Sequence, residues 1–284
     1  VILYATNDIL MQYQTIGNTP RVVGIENADG TTGLKYDLAH LQDNRVIKIF
    51  SPQHDCFANL NDQEIYYSVQ EAVSNASSGD TVKVAGYCAG VQNTTDMTQT
   101  VHLTKTLDIT GGYTITNWTT SYPITNPTTL DAQGLGRVFA IEGNINPTIE
   151  GLHIVGGDAT GLGGASHGQD AGGGIYVVDA NVTLKNNYLL NNTADVGGGI
   201  YFENSSSDIS NSTIEASTAL SHGGGVFITD TLSASFNHVT MTNNIAENGG
   251  AAYLYTSNAQ MDNVLVQDNQ AAQDGGGIYA LQGQ

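Results

Sequence analysis

The sequence predicts an all-β fold, a right-handed parallel β-helix solenoid with a short N-terminal capping helix. Three observations predict it. A glycine-led motif recurs at a nearly fixed period, apolar residues after it alternate in twos, and turn-forming residues occupy matching places in successive periods.

The motif is GGGIY at Gly172, and it returns as GGGIY at Gly197, GGGVF at Gly223, GGAAY at Gly249 and GGGIY at Gly275, at intervals of 25, 26, 26 and 26 residues. No interval holds a helical pattern or a leucine framework, so helical and leucine-rich repeats are excluded. Three short strands and three turns account for each period. After each triplet, Ile175, Ile200, Val226, Ala252 and Ile278 form one row, and Val177, Phe202, Ile228, Leu254 and Ala280 form another two residues on. Period-two geometry sends both rows inward. Between them Tyr176, Tyr201, Phe227, Tyr253 and Tyr279 face the other way, an aromatic stripe expected on the outer surface and the candidate ligand-binding feature. A second alternation runs through Leu189, Ile214, Val239 with Met241, and Val264 with Val266. Asn186, Asn211, Asn237 (sharing its place with His238) and Asn263 precede that strand, and Asn192, Ser217, Asn244 and Asn269 follow it. Stacked asparagines suit turns, because Asn tolerates left-handed backbone and can bond along the coil axis.

Composition narrows the partners. Acids outnumber bases 27 to 8, for a formal charge of −19, with 34 glycines among 284 residues. Such a charge repels nucleic acid and anionic membrane, and no apolar run is long enough for direct membrane insertion. The only cysteines, Cys56 and Cys88, lack C-x-x-C spacing. A disulfide is expected of them in an oxidising compartment, with a metal site the less favoured alternative. N-x-[ST] sequons stand at Asn75, Asn93, Asn117, Asn181, Asn191, Asn204 and Asn211.

Ahead of residue 172 the coils are less regular. Strands are expected at 81–85, 101–109, 137–141 and 148–155. Within 67–76, Val69, Ala72, Val73 and Ala76 share one helical face, as a helix capping the first coil would require. Residues 1–60 form an N-terminal β extension or small subdomain, with strand-like pieces at 21–25, 34–38 and 46–50, and the solenoid spans 61–284. Residues 156–174 read as a Gly-rich surface loop. The last coil reaches Gln284 without a capping element, so further repeats of the same protein or neighbouring subunits are the expected partners.

SVQEAVSNASSGDTVKVAG from Ser68, LDITGGYT from Leu107, TTLDAQGLGRVF from Thr128 and IEGLHIVGGDAT from Ile149 carry a resemblance. Together they resemble secreted bacterial β-helix repeat proteins of the pectin-lyase-like fold, over residues 67–284. The GGGIY coils are similar to polymorphic outer-membrane protein repeats. The resemblance implies a secreted or cell-surface protein of structural or adhesive role, such as a filament or surface-scaffold component, or else a polysaccharide-binding or polysaccharide-degrading enzyme.

The residues lean away from the enzyme. A lyase needs a base beside its acidic substrate, yet residues 138–284 hold one basic side chain, Lys185. A hydrolase needs two carboxylates about 5 to 9.5 Å apart. Asp158, Asp170, Asp179, Asp195 and Asp208 are available, but they recur in no pattern, and G-H-G and R-I-K elements are missing. No catalytic residue and no metal ligand is therefore assigned. Asp158 and Asp170 in the Gly-rich loop are the one place for Ca²⁺, and His167 and His222 read as turn or surface residues. Carbohydrate remains an expected partner through the stripe, whose rings offer apolar faces.

Overall fold

A computed structural model describes residues 55–94, 97–231 and 233–281, and ahead of them the backbone of four strands. The chain divides into two units, Val1–Asp55 and Cys56–Gln284. In the first, Ile9–Ile16 pairs antiparallel with Thr19–Asn27, which contains the expected strand 21–25, and Leu3–Tyr4 pairs parallel with Ile49–Phe50. The strand expected at 34–38 lies outside the described residues.

The second unit is a right-handed parallel β-solenoid of about 8 turns. Each regular coil has four strands, one more than the sequence suggests. In the coil after Gly172 these are Ile175–Val178 (sheet C), Asn181–Lys185 (sheet A), Tyr188–Leu190 (sheet B) and Thr193–Val196 (sheet D). Each pairs in parallel with its counterpart in the next coil. The fourth strand escapes sequence reading because only its alternate residues, Ala194 and Val196, are apolar and buried. Sheets A and B join through Thr81–Ala89, whose first half pairs with Asp108–Tyr113 and second half with Thr128–Asp131.

The inward rows are those the alternation predicts. Ile175, Ile200, Val226 and Ala252 are in register and fully buried, as are Val177, Phe202 and Ile228 beside them. Across the coil, Leu189, Ile214 and Met241 align against them. Burial of such rows at roughly 25 cal/mol per Å² is the main force for folding.

The corners follow one rule. A residue in left-handed backbone makes the bend, and the next residue turns its side chain inward. The bending residues are Asp179, Asn204, Asp230 and Thr256 between sheets C and A; Asn186, Asn211, His238 and Asn263 between A and B; and Asn191, Ala216, Asn243 and Asp268 between B and D, all with φ between 45° and 57°. His238, not Asn237, therefore holds the place asparagine has in neighbouring coils. The inward neighbours bond from coil to coil. Asn244 Nδ2 donates to Ile214 O at 2.9 Å, its Oδ1 accepts from Ser217 N–H at 3.0 Å, and its own N–H donates to Asn269 Oδ1 at 2.9 Å. At the A–B corner Asn187 Oδ1 accepts from Leu152 N–H, and Asn187 N–H donates to Ser212 Oγ. These bonds satisfy amides that the bends remove from the sheets.

The triplets solve a different problem. Gly197 has φ +63°, and a Cβ on Gly198 would lie 2.3 Å from Thr218 O. Only glycine lets the chain double back this tightly against the coil beside it.

The N-terminal end is closed as expected. The helix Val69–Asn75 lays Val69, Ala72, Val73 and the following Ala76 on the core. Ser68 accepts the Glu71 N–H as its N-cap, and Lys105 Nζ donates to the carbonyls of Val73, Ser74 and Ala76 at its other end. A cation there opposes the helix dipole. Cys56–Leu60 pairs antiparallel with Thr81–Ala89, and Cys56 is disulfide-bonded to Cys88 across that pair.

Two predictions follow from the corners and the cap. Ala216 is an ordinary L-residue in left-handed backbone, which asparagine tolerates better, so Ala216→Asn is expected to raise stability by about 1 kcal/mol in urea unfolding. Replacing both cysteines by serine opens a loop with sequence separation 32. The double variant is expected to lose about 2–4 kcal/mol, and an unchanged urea midpoint would contradict the link.

Candidate functional site

The aromatic stripe forms, but not as an open platform. Tyr176, Tyr201, Phe227, Tyr253 and Tyr279 are in register down sheet C. Successive ring centroids are 5.7, 5.4, 5.3 and 5.1 Å apart with planes within 21°. Tyr201, Phe227 and Tyr253 have both ring faces against neighbouring rings, so a flat ligand finds edges there. Tyr176, Tyr201 and Tyr253 are only 6%, 2% and 7% exposed, which corrects the expectation of a surface stripe. The cover comes from the doubled-back residues: Ala171 and Val196 join the rings in a second apolar cluster, and the His222 ring stands edge-on to Tyr253 at 4.4 Å. Burial pushes the Tyr176 hydroxyl up to about 12 and raises that of Tyr201 further.

Arg137 closes the near end of the stripe. Its side chain is 1% exposed, and its guanidinium lies 4.7 Å from the Tyr176 ring centre. Nε donates to Ala171 O at 2.8 Å and Nη2 to Gly163 O at 2.6 Å, while Tyr176 hydroxyl donates to Gly164 O at 3.0 Å. The Gly-rich segment 156–174 is thereby folded down over the first ring. Burial lowers the Arg137 pKa, and two carbonyls and a ring face offset part of its desolvation.

The acids of that segment hold the loop together. Asp170 accepts from Gly161 N–H at 2.7 Å and Gly163 N–H at 2.6 Å, and Asp158 accepts from the Thr160 amide and hydroxyl. Both Asp170 oxygens and Asp158 Oδ1 are thus turned onto donors of their own loop. Asp195 accepts the Asp170 N–H and Asp179 accepts from Asn204 Nδ2, while Asp208 stands exposed on sheet A. His167 is exposed at the loop tip with φ 63°. Among the described residues, no three His, Cys, Asp or Glu side chains gather to hold a metal ion.

The structure adds a groove of about 460 Å³ on the outside of sheet B, lined by Pro123, Ile124, His153, Asn186, Asn187, Tyr188 and Asn211. Its floor is the pair His153 and Tyr188, adjacent in register, with ring centres 5.2 Å apart and edge to face. Its wall is the insertion 114–127. That loop is pinned by the Tyr113–Trp118 stack, by Lys83 Nζ donating to Trp118 O at 2.7 Å, and by Ser121 Oγ donating to Gly111 O at 2.7 Å. Tyr188 hydroxyl donates to Glu215 Oε2 at 2.5 Å, and this bond with burial pushes its pKa up to about 12. Asn186 Nδ2 donates to Glu150 Oε1 at 2.9 Å.

The profile of the family described as a right-handed beta helix region matches residues 136–284. The chain belongs to that family. Among curated proteins and among solved structures, nothing matches it. The β-helix match begins beside Arg137 and takes in all the regular coils, whereas Pro123 and Ile124 lie before it. Sequence reasoning missed the groove, although a spacing signal existed. In the regular β-helix coil the core residues Leu184 and Leu189 are 5 apart (189 − 184), while the aligned Ile109 and Leu130 are 21 apart (130 − 109). Sixteen extra residues at one corner require a projecting loop.

Two histidines set a pH dependence. Burial holds His153 and His222 below the ordinary 6.5, with Glu247 partly opposing it at His222. The unfolded chain then takes up protons more readily than the folded one. Full stability is present above pH 6.5 and declines as pH falls below it, levelling off beneath the folded pKa values. Urea midpoints measured from about pH 8 to 5 should fall, and less steeply in a His153→Asn/His222→Asn variant. Equal slopes in the two proteins would contradict this origin.

Proposed function

We propose that the protein is an extracellular or cell-surface structural or adhesive β-helix, serving as a stiff scaffold or filament component. One observation carries the reading: inward corner asparagines bond from coil to coil, and most of the candidate carboxylates bond within loops and corners. Buried Asn192 and Asn244 bond through their side chains to backbone of the preceding coil, and four of the five candidate carboxylates serve loops and corners. Side chains so committed confer rigidity and register rather than turnover. The disulfide suits an oxidising compartment outside the cytosol. The strong negative charge suits a protein that neither binds nucleic acid nor adheres to anionic lipid. No helix among the described residues is long and apolar enough to cross a membrane.

Further copies of the chain or further repeats are the partners this reading names, with carbohydrate as the adhesive ligand. A polysaccharide-degrading enzyme gains no support from the candidate carboxylates, because Asp158, Asp170, Asp179 and Asp195 are turned onto donors of their own loops and corners. Electron microscopy of the purified, disulfide-intact protein is expected to show end-to-end filaments or ordered arrays. Dispersed short rods would remove the filament component, and release of reducing ends from a polysaccharide panel would overturn the reading.

A further inference from the structure

The groove between the insertion 114–127 and sheet B is an open concavity, although Asn186, Asn187 and Tyr188 in its lining also bond to neighbouring coils. Ile124 on its wall is 94% exposed, a large apolar side chain presented to water at the mouth of a cavity of ligand size. Beside it the floor supplies the Tyr188 and His153 rings, and the rim supplies the exposed amides of Asn186 and Asn211. We propose that this groove binds a neutral saccharide chain, with apolar sugar faces against Ile124, Pro123 and the Tyr188 ring and sugar hydroxyls bonded by the Asn186 and Asn211 amides.

Three observations select that ligand. The first is charge. In a chain of net −19 the groove lining contains no carboxylate and no Lys or Arg. The nearby acids Glu150 and Glu215 are bonded to Asn186 and Tyr188. A polyanion would meet these acids with no Lys or Arg in the lining to hold it, and a cation would find no carboxylate in the lining. The second is the pairing of donors and acceptors. An amide offers two N–H donors and a carbonyl acceptor, matching hydroxyls that do both, and adjacent ring and proline surfaces suit the C–H faces of a sugar. The third excludes an extended peptide as an added strand. Leu152–Val155 is paired on both sides, with Thr128–Asp131 and Tyr188–Leu190, and Tyr188–Leu190 is paired on its far side with Thr213–Glu215. No strand edge is free in the floor for β-augmentation. The inference deepens the adhesive part of the proposed function, on which it rests for carbohydrate as the ligand, while the scaffold part survives if the groove binds no saccharide.

The test is titration calorimetry of the full chain with neutral hexasaccharides of β-1,4-glucan, β-1,4-xylan and α-1,4-glucan, with oligogalacturonate and an unstructured peptide as contrasts. Saturable binding to at least one neutral hexasaccharide is expected, without binding of oligogalacturonate. Ile124→Asp and Tyr188→Ala should each weaken it about tenfold or more. Leu220→Asp, at a site 70% exposed on sheet D, should leave it unchanged. Because Ile124 is so exposed, its variant keeps the fold, and circular dichroism checks the Tyr188 variant. Absence of binding to every neutral hexasaccharide overturns the proposal. So does binding that Ile124→Asp leaves intact, or a preference for the oligogalacturonate or the peptide.

Discussion

The structure depends on the bend at each corner, where one residue in left-handed backbone is followed by one whose side chain points inward. The bend costs ordinary L-residues roughly 1–2 kcal/mol, so asparagine and aspartate fill most of these places. It also takes backbone amides out of the sheets. The side chains of Asn187, Asn192, Ser205 and Asn244 supply those bonds to the coil before them. Straight strands, the apolar rows and the stacked rings all require that successive corners stay aligned.

This constraint explains what could be read from the chain. Rows such as Ile175, Ile200 and Val226 were legible because their spacing is fixed by the corners and their apolarity by the core. The capping helix was legible because Val69, Ala72, Val73 and Ala76 show a helical face. Sheet D was not, since its strands are short and half polar. The burial of the stripe was also hidden, because it depends on the chain doubling back through glycine, and no pattern in the tyrosines reports what covers them. The groove lay furthest from sequence reasoning. Its wall comes from residue 124 and its floor from residues 153 and 188, brought together only by the solenoid.

The two insertions show how such a fold acquires features without disturbing its core. Both leave at corners, where the chain is already bent, and both are anchored by a cation: Lys83 for the loop 114–127 and Arg137 for the Gly-rich segment. In a chain with eight basic residues, a third anchors the capping helix, Lys105. Among the Lys and Arg whose side chains are described, all but Lys185 fasten what the sheets do not hold.

Because each row repeats only once per coil, the fold has a natural unit of change. Inserting or deleting one full turn of 25 or 26 residues leaves every inward row, corner and ring in step with its new neighbour. Half a turn would send core residues to water and corner residues into strands. Gene segments encoding single turns can therefore be duplicated or lost while the solenoid stays folded, and the number of turns becomes a property that recombination can tune separately from any surface they display.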